Sequence, residues 1–363
     1  MTSYLLAGGG TAGHVNPMLA IADEIRRTEP DARIVMIGTK EGLESRLVPQ
    51  RGYDLHTIPR LPFPRRPDAR AVTFVRLWRR TVADIVGVIR DRNVDVVIGV
   101  GGYAAAPAYA AGRKAGVPIV IHEANAKPGL ANILGARWTK YVGVAFTGTK
   151  LPHARFVGMP LRPEIAKLDV KAEQVRARAT LGFNAAHPVV LVTGGSLGAT
   201  RINEAVVEAS EELARAGIQV LHITGDRFVS TIPEVEGYRA MAYCDDMAQA
   251  FGAASLVVCR AGASTVSEVS AIGLPAVYIP YPVGNGEQAL NAREAVTAGA
   301  AILVKDADFN SAWIRDNLIA LASSNDRLAA MRTAAEGVGV RSGSQLTVAL
   351  IREALTESSA KRA

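Results

Sequence analysis

His14 closes the run Gly8-Gly9-Gly10-Thr11-Ala12-Gly13-His14. A histidine behind a glycine loop is a candidate general base, because it titrates near neutral pH. Its plain alternative is a histidine that caps its own helix. Glu123, in His122-Glu123-Ala124-Asn125, competes for the base role, or serves as a structural carboxylate holding its loop. A second glycine run, Gly194-Gly195-Ser196-Leu197-Gly198-Ala199, offers the Ser196 hydroxyl and neighbouring amides to a phosphate, or simply caps a helix. A third turn, Ala261-Gly262-Ala263-Ser264-Thr265, supplies small residues and a hydroxyl pair at a helix start. Free N–H groups there suit a phosphate, and Glu268, one turn in, suits a ribose diol taken bidentately. Asn285, Glu287, Gln288 and Asn291 follow in a polar loop. The bland reading of that whole segment is a strand–helix–strand unit with solvated polar caps.

Some chemistries lack their signatures. There is no GxxxxGK[ST] phosphate loop, no GxSxG elbow, and the six histidines (14, 56, 122, 153, 187, 222) show no metal-ligand spacing. No metal site and no cofactor are therefore expected.

The elements that must position these residues follow from the apolar runs. Tyr4–Ala7, Val94–Val100 and Ile119–Ile121 read as strands, as do Val189–Thr193, Leu256–Cys259 and Ala276–Pro280. Another strand, Arg33–Ile37, ends in Gly38-Thr39-Lys40, without the acid that a nicotinamide-binding domain places there. Strand, glycine turn and helix over 4–27 recur over 189–216, the second helix running from about Ile202 to Ala216. Strand, small-residue turn, helix, Gly-x-Pro, strand and polar loop over 94–125 recur over 256–288. The duplication predicts an α/β protein of two Rossmann-like, doubly wound domains facing a cleft, with glycine loops on both walls. The boundary falls near Gly158-Met159-Pro160-Leu161-Arg162-Pro163, giving domains 1–160 and 161–342. Helices are expected near Ser311–Ala322 and Asp326–Glu336. A last amphipathic helix, Gln345–Leu355 within 343–363, is expected to pack back toward the first domain.

Composition fits a folded globular chain: 363 residues, 49% hydrophobic and 21% charged. Two cysteines, Cys244 and Cys259, both in apolar strand-like surroundings, point to a reducing compartment. No run approaches the length of a spanning helix and no signal peptide opens the chain, so any membrane contact is peripheral. A net charge of +7 is too modest to imply nucleic acid. Its distribution is uneven, since Arg60–Arg80 holds seven arginines against Asp68 alone. A helix from Ala69 onward groups Phe74, Leu77 and Trp78, flanked by Arg76, Arg79 and Arg80. That surface suits an anionic bilayer; the alternatives are an ordinary helix with its aromatics in the core, or single-stranded nucleic acid.

In order along the chain stand GGGTAGH (8–14), GGYAAAP (101–107), HEANAKPG (122–129), GMPLR (158–162), GGSLGA (194–199), DDM (245–247), CRAGASTVSE (259–268) and EQALNA (287–292). This ordered set resembles the MurG family, the N-acetylglucosaminyltransferases that convert lipid I to lipid II in peptidoglycan synthesis. The resemblance implies a glycosyltransferase fold of the B type and an inverting hexosyltransferase at the cytoplasmic face of the bacterial cell membrane. The donor it implies is UDP-N-acetylglucosamine. The acceptor it implies is the 4-hydroxyl of the muramyl sugar of undecaprenyl-diphosphate-linked MurNAc-pentapeptide, with anionic lipids beneath. It implies ribose contacts from Glu268, and diphosphate and sugar contacts from Ala263, Ser264 and Thr265. A uracil contact falls at the backbone of Cys244. Further donor positions are Arg162, Ser196, Gln288, Thr11, Ala12, Gly13 and Asn125, with His14 as suspected base. The family's usual TGGH, HEQN and GGSQGA stand here as TAGH, HEAN and GGSLGA, which removes contacts from two glutamines. Protein partners from cell-wall synthesis or division are not identified by sequence. Competing readings are a related transferase with another lipid or aglycone acceptor, and a catalytically silent nucleotide-binding scaffold at the membrane. Retention of His14 and Glu268 disfavours the scaffold.

Overall fold

The computed structural model describes residues 1–61, 69–195, 198–226, 228, 232–283 and 285–362. The chain divides into two compact units, Met1–Arg162 with Ser342–Ala363, and Pro163–Arg341.

The first unit is built on β1 (Ser3–Ala7), β2 (Arg33–Thr39), β3 (Asp54–Ile58), β4 (Val96–Gly99), β5 (Ile119–Glu123), β6 (Tyr141–Val144) and β7 (Ala154–Phe156). They lie in the order β3-β2-β1-β4-β5-β6-β7, every described pairing parallel. The central strands are buried on both faces, which is why they read as unbroken apolar runs rather than alternating ones. Leu5 stands opposite Val35 on one side and Val97 on the other. The chain leaves β1 toward β2 and re-enters the sheet at β4, so the strand order reverses between them. The carboxyl ends flanking such a reversal form the natural ligand crevice of a sheet of this kind.

The core of this unit is completed by the far end of the chain. Helix Gly343–Arg362 buries Val348, Leu350, Ile351 and Ala354 among Tyr4, Leu6, Met18, Ile21, Val120 and Tyr141. Its start lies so close to Met159 that a Cβ at position 343 would press on that carbonyl, which selects glycine. Arg352 bonds Thr28 and Glu29, and Glu353 pairs with Arg155.

The second unit repeats the plan with β8 (Val189–Thr193), β9 (Gln219–Ile223), β10 (Tyr238–Met241), β11 (Leu256–Cys259), β12 (Ala276–Tyr278) and β13 (Ala301–Leu303). Their order is β10-β9-β8-β11-β12-β13, again parallel, with the reversal between β8 and β11. Val190, Val192, Ile202, Val206, Val258, Val277 and Phe309 share its core.

Several boundaries differ from the sequence reading. The helix read over 202–216 is two, Thr200–Glu208 and Ser210–Arg215, because Ala209 between them leaves helical angles at φ −93, ψ 8. The helix read over 311–322 contains a widened π turn at Ile314–Leu318. The cysteines also part company. Cys259 is buried in β11, where desolvation pushes its thiol pKa up, whereas Cys244 lies beyond β10 in a partly exposed, polar turn. Among the described residues no helix is long and apolar enough to cross a membrane.

Candidate active site

The first glycine loop leaves β1 and turns into helix Ala12–Thr28, with Thr11 as the extended N-cap residue. His14 is therefore not the cap. It sits in the first turn, half-buried, its Nδ1 3.4 Å from Thr11 Oγ1. Its ring lies against the turn that leaves β4. A Cβ at Gly101 would come within 3.0 Å of the imidazole, and one at Gly102 would press on the Gly9 carbonyl. Both glycines have positive φ, 94° and 80°, so residue type here is set by the close approach of two loops and by a left-handed backbone. Burial lowers the His14 pKa, while the Gly9 carbonyl and the charge of Glu44 pull it back up. A lowered pKa leaves the imidazole neutral at neutral pH, the form that accepts a proton. Thr11 is exposed, and Ala12 and Gly13 are half-exposed beside it.

The sequence reading did not single out Glu44. It is fully buried at the start of helix Glu44–Gln50 and receives the backbone N–H of Gly10 at 2.9 Å. The visible signal was slight: an acid a few residues beyond the second strand, between Gly38 and Gly42 on one side and apolar residues on the other.

Glu123 ends β5 and is also buried. Its carboxylate accepts from the N–H of Asn125 at 2.8 Å, the N–H of Gly129 at 2.9 Å and the Asn132 amide at 2.9 Å. Burial raises its pKa and these donors work against the rise. Asn132 in turn accepts from the Tyr109 hydroxyl at 2.6 Å. The geometry gives Glu123 the work of shaping the loop that presents half-buried Asn125. His122, its pKa pushed down to about 4 by burial, is neutral and bonds the Gly158 carbonyl through Nε2 at 2.9 Å. Arg162 is half-buried at the end of this unit's first segment.

In the second unit, helix Ala263–Ala271 begins immediately beyond β11 with Gly262 as its N-cap, and no side chain caps it. Its first-turn amides lack intrahelical acceptors, as at any helix start. Ser264 Oγ is buried there without a hydrogen-bond partner. Glu268 lies in the next turn, only 8% exposed. Gln288 fixes this corner, its Oε1 accepting from Ala261 N at 3.2 Å and Tyr281 N at 2.9 Å, so the turns after β11 and β12 are tied together. Asn291 donates to the Ala261 carbonyl at 3.3 Å. Cys244 Sγ donates to the Asp246 carbonyl at 3.3 Å, and Asp246 caps the helix that follows. The turn after β8 brings Gly198 so near the Thr224 carbonyl that a Cβ would collide with it, and Asn203 Nδ2 holds that carbonyl at 2.7 Å. Ser196 lies outside the described residues.

Helix Ala69–Asp91 carries the basic aromatic segment. Phe74 and Trp78 touch, ring centroids 5.9 Å apart, and Trp78 packs partly on the core formed by Val82, Ile85 and their neighbours. Leu77 is half-buried, while Arg76, Arg79 and Arg80 are exposed. The preceding stretch at 62–68 lies outside the described residues. Among the described residues no group of three or more His, Cys, Asp and Glu is placed to hold a metal ion.

Comparison with known proteins covers both units. The glycosyltransferase family 28 N-terminal domain matches residues 4–144 and the family 28 C-terminal domain matches residues 189–347. A protein of Leifsonia xyli named UDP-N-acetylglucosamine--N-acetylmuramyl-(pentapeptide) pyrophosphoryl-undecaprenol N-acetylglucosamine transferase is 56% identical over 356 residues, 98% of this chain and 99% of its own. A protein of the same name from Streptomyces coelicolor is 45% identical over 355 residues, 97% and 98% of the two chains. Among solved structures, Acinetobacter baumannii MurG matches with a TM-score of 0.79 at 25% identity, over 97% of this chain and all of that one. The calicheamicin glycosyltransferase CalG4 shares the fold, with a TM-score of 0.66 at 17% identity over 98% and 99% of the two chains.

Proposed function

The chain belongs to glycosyltransferase family 28, and on that premise we propose that it moves N-acetylglucosamine from UDP-N-acetylglucosamine to the muramyl 4-hydroxyl of an undecaprenyl-diphosphate-linked MurNAc-pentapeptide. The observation that carries this reading is end-to-end likeness to transferases named for that donor and acceptor, in a chain that keeps His14 and Glu268.

The donor belongs to the second unit. First-turn amides of helix Ala263–Ala271 and the orphaned Ser264 hydroxyl suit the diphosphate, and Glu268 suits the ribose diol. Thr265 and Gln288 border the sugar, and the backbone at Cys244 meets the base. The first unit supplies Thr11, Ala12, Gly13, Asn125 and His14. As the acceptor oxygen bonds to C1 of the donor sugar, the C1–oxygen bond to the diphosphate breaks and UDP leaves. His14 takes the hydroxyl proton, and the configuration at C1 inverts. First-turn amides at the Ala263 helix start stabilise the departing charge. Glu123 holds the loop of Asn125 rather than the proton.

The lipid-linked acceptor calls for a membrane surface. Exposed Arg76, Arg79 and Arg80, with half-buried Phe74, Leu77 and Trp78 beside them, support peripheral attachment to anionic lipid at the cytoplasmic face. The direct test offers labelled UDP-N-acetylglucosamine with a short-chain lipid I analogue. A disaccharide-linked lipid product supports the reading. Tight donor binding without product, against active lipid I, overturns the acceptor.

A further inference from the structure

We infer that Glu44 is a positioning residue for His14: its buried carboxylate shapes the loop at 8–13 and places a fixed negative charge beside the imidazole that receives the acceptor's proton. The inference rests on the reading of His14 as base.

Glu44 has no exposed surface. Its Oε1 accepts the N–H and the hydroxyl of Thr39, each at 2.8 Å, and its Oε2 accepts the N–H of Gly10 at 2.9 Å. Three glycines make room for it, since a Cβ at Gly9, Gly38 or Gly42 would overlap its side chain. No lysine or arginine pairs with it among the described residues. Hydrogen bonds rather than a counter-ion hold this charge in the interior, an arrangement that persists only where all of its donors are in place.

The consequence concerns what the loop can bind. A loop built to receive phosphate leaves its amides for the ligand. Here the Gly10 amide is already given to a carboxylate, whose charge repels an anion and favours a cation. Among the described residues, the groups that act on or face His14 are the Gly9 backbone, the Thr11 hydroxyl, the glycine turn at 101 and the charged Glu44. The charge of Glu123 acts on Tyr109. When the acceptor proton moves to His14, the imidazolium that forms is stabilised by the negative charge of Glu44.

The test compares wild type, Glu44→Gln, Glu44→Asp and His14→Ala in two measurements. One is the pH dependence of kcat/KM for transfer to a lipid I analogue; the other is an NMR titration of His14. Glu44→Gln is expected to lower the His14 pKa by about half a unit or more. The acid limb should move down in pH with it, and plateau kcat should fall roughly tenfold, within the range of general-base contributions. Donor KM should be unchanged and Glu44→Asp intermediate. An unmoved His14 titration in a folded Glu44→Gln overturns the inference. Should Glu44→Gln fail to fold, a Glu44→Asp titration identical to wild type overturns it equally. Persistence of the acid limb in His14→Ala sinks the base reading instead, and the inference with it.

Discussion

Glu268 and Gln288 lie on successive helices of the second unit, Ala263–Ala271 and Glu287–Thr297, in different surroundings. Gln288 spends its carbonyl oxygen on two backbone amides, so its replacement would loosen the turns after β11 and β12. Glu268 is buried one turn into a helix whose start carries an orphaned hydroxyl. Replacing Glu268 by alanine should weaken UDP-sugar binding by more than about tenfold, on the order of 1.4 kcal/mol. Calorimetric titration of the donor checks this, and unchanged affinity would remove Glu268 from the ribose. His14, Glu123 and Glu268 were legible in the sequence because reactive side-chain types stood beside glycine or helix-start signals. Glu44 and Asn203 were not. Each acts on a backbone group well away from it in sequence, Glu44 on Gly10 and Asn203 on Thr224, and spacing along the chain carries no trace of such a bond. The three donors that hold the Glu123 carboxylate, Asn125, Gly129 and Asn132, were likewise not legible from its place in the sequence.

At the scale of elements, loops rather than helices decide where His14 lies. Gly102 combines a φ of 80° with contact against the Gly9 carbonyl. Gly102→Ala therefore forces a strained backbone, at a cost of about 1–3 kcal/mol, and separates the two loops around the imidazole. A lower melting temperature and a lower kcat with unchanged donor affinity are expected; a variant as stable and active as wild type would show that the contact yields easily. Helix Ala69–Asp91 makes a separate prediction. Because Trp78 packs partly on the core, the exposed arginines are the cleaner probe. Reversing Arg76, Arg79 and Arg80 to glutamate should abolish binding to phosphatidylglycerol-rich vesicles, each basic residue contributing about 1 kcal/mol near such a surface. Co-sedimentation unchanged by the reversal would assign this face another role. The strands read from sequence were legible because strands buried on both faces must be continuously apolar, whereas the more exposed β3, β7 and β10 went unread. The break at Ala209 was not, since nothing in Glu208-Ala209-Ser210 stops a helix by composition.

At the scale of the whole chain, the duplication seen as repeated turn chemistry is a repeated strand order, with the first, second and fourth strands of each unit neighbouring in the same way. Sequence periodicity carries that much, because each glycine turn marks the exit of a strand at the point of reversal. The return of helix Gly343–Arg362 to the first unit rests on finer detail: a glycine against the Met159 carbonyl, and Ile351 among residues more than two hundred positions earlier. The proposed function assigns the donor contacts mainly to the second unit and the proton acceptor to the first. The most direct test of that division measures transfer from UDP-N-acetylglucosamine to a short-chain lipid I analogue by wild type and His14→Ala, alongside donor affinity for both. The account predicts product from wild type, a loss of about 100-fold or more in the variant, and equal donor affinity. Equal transfer rates from the two proteins would contradict it.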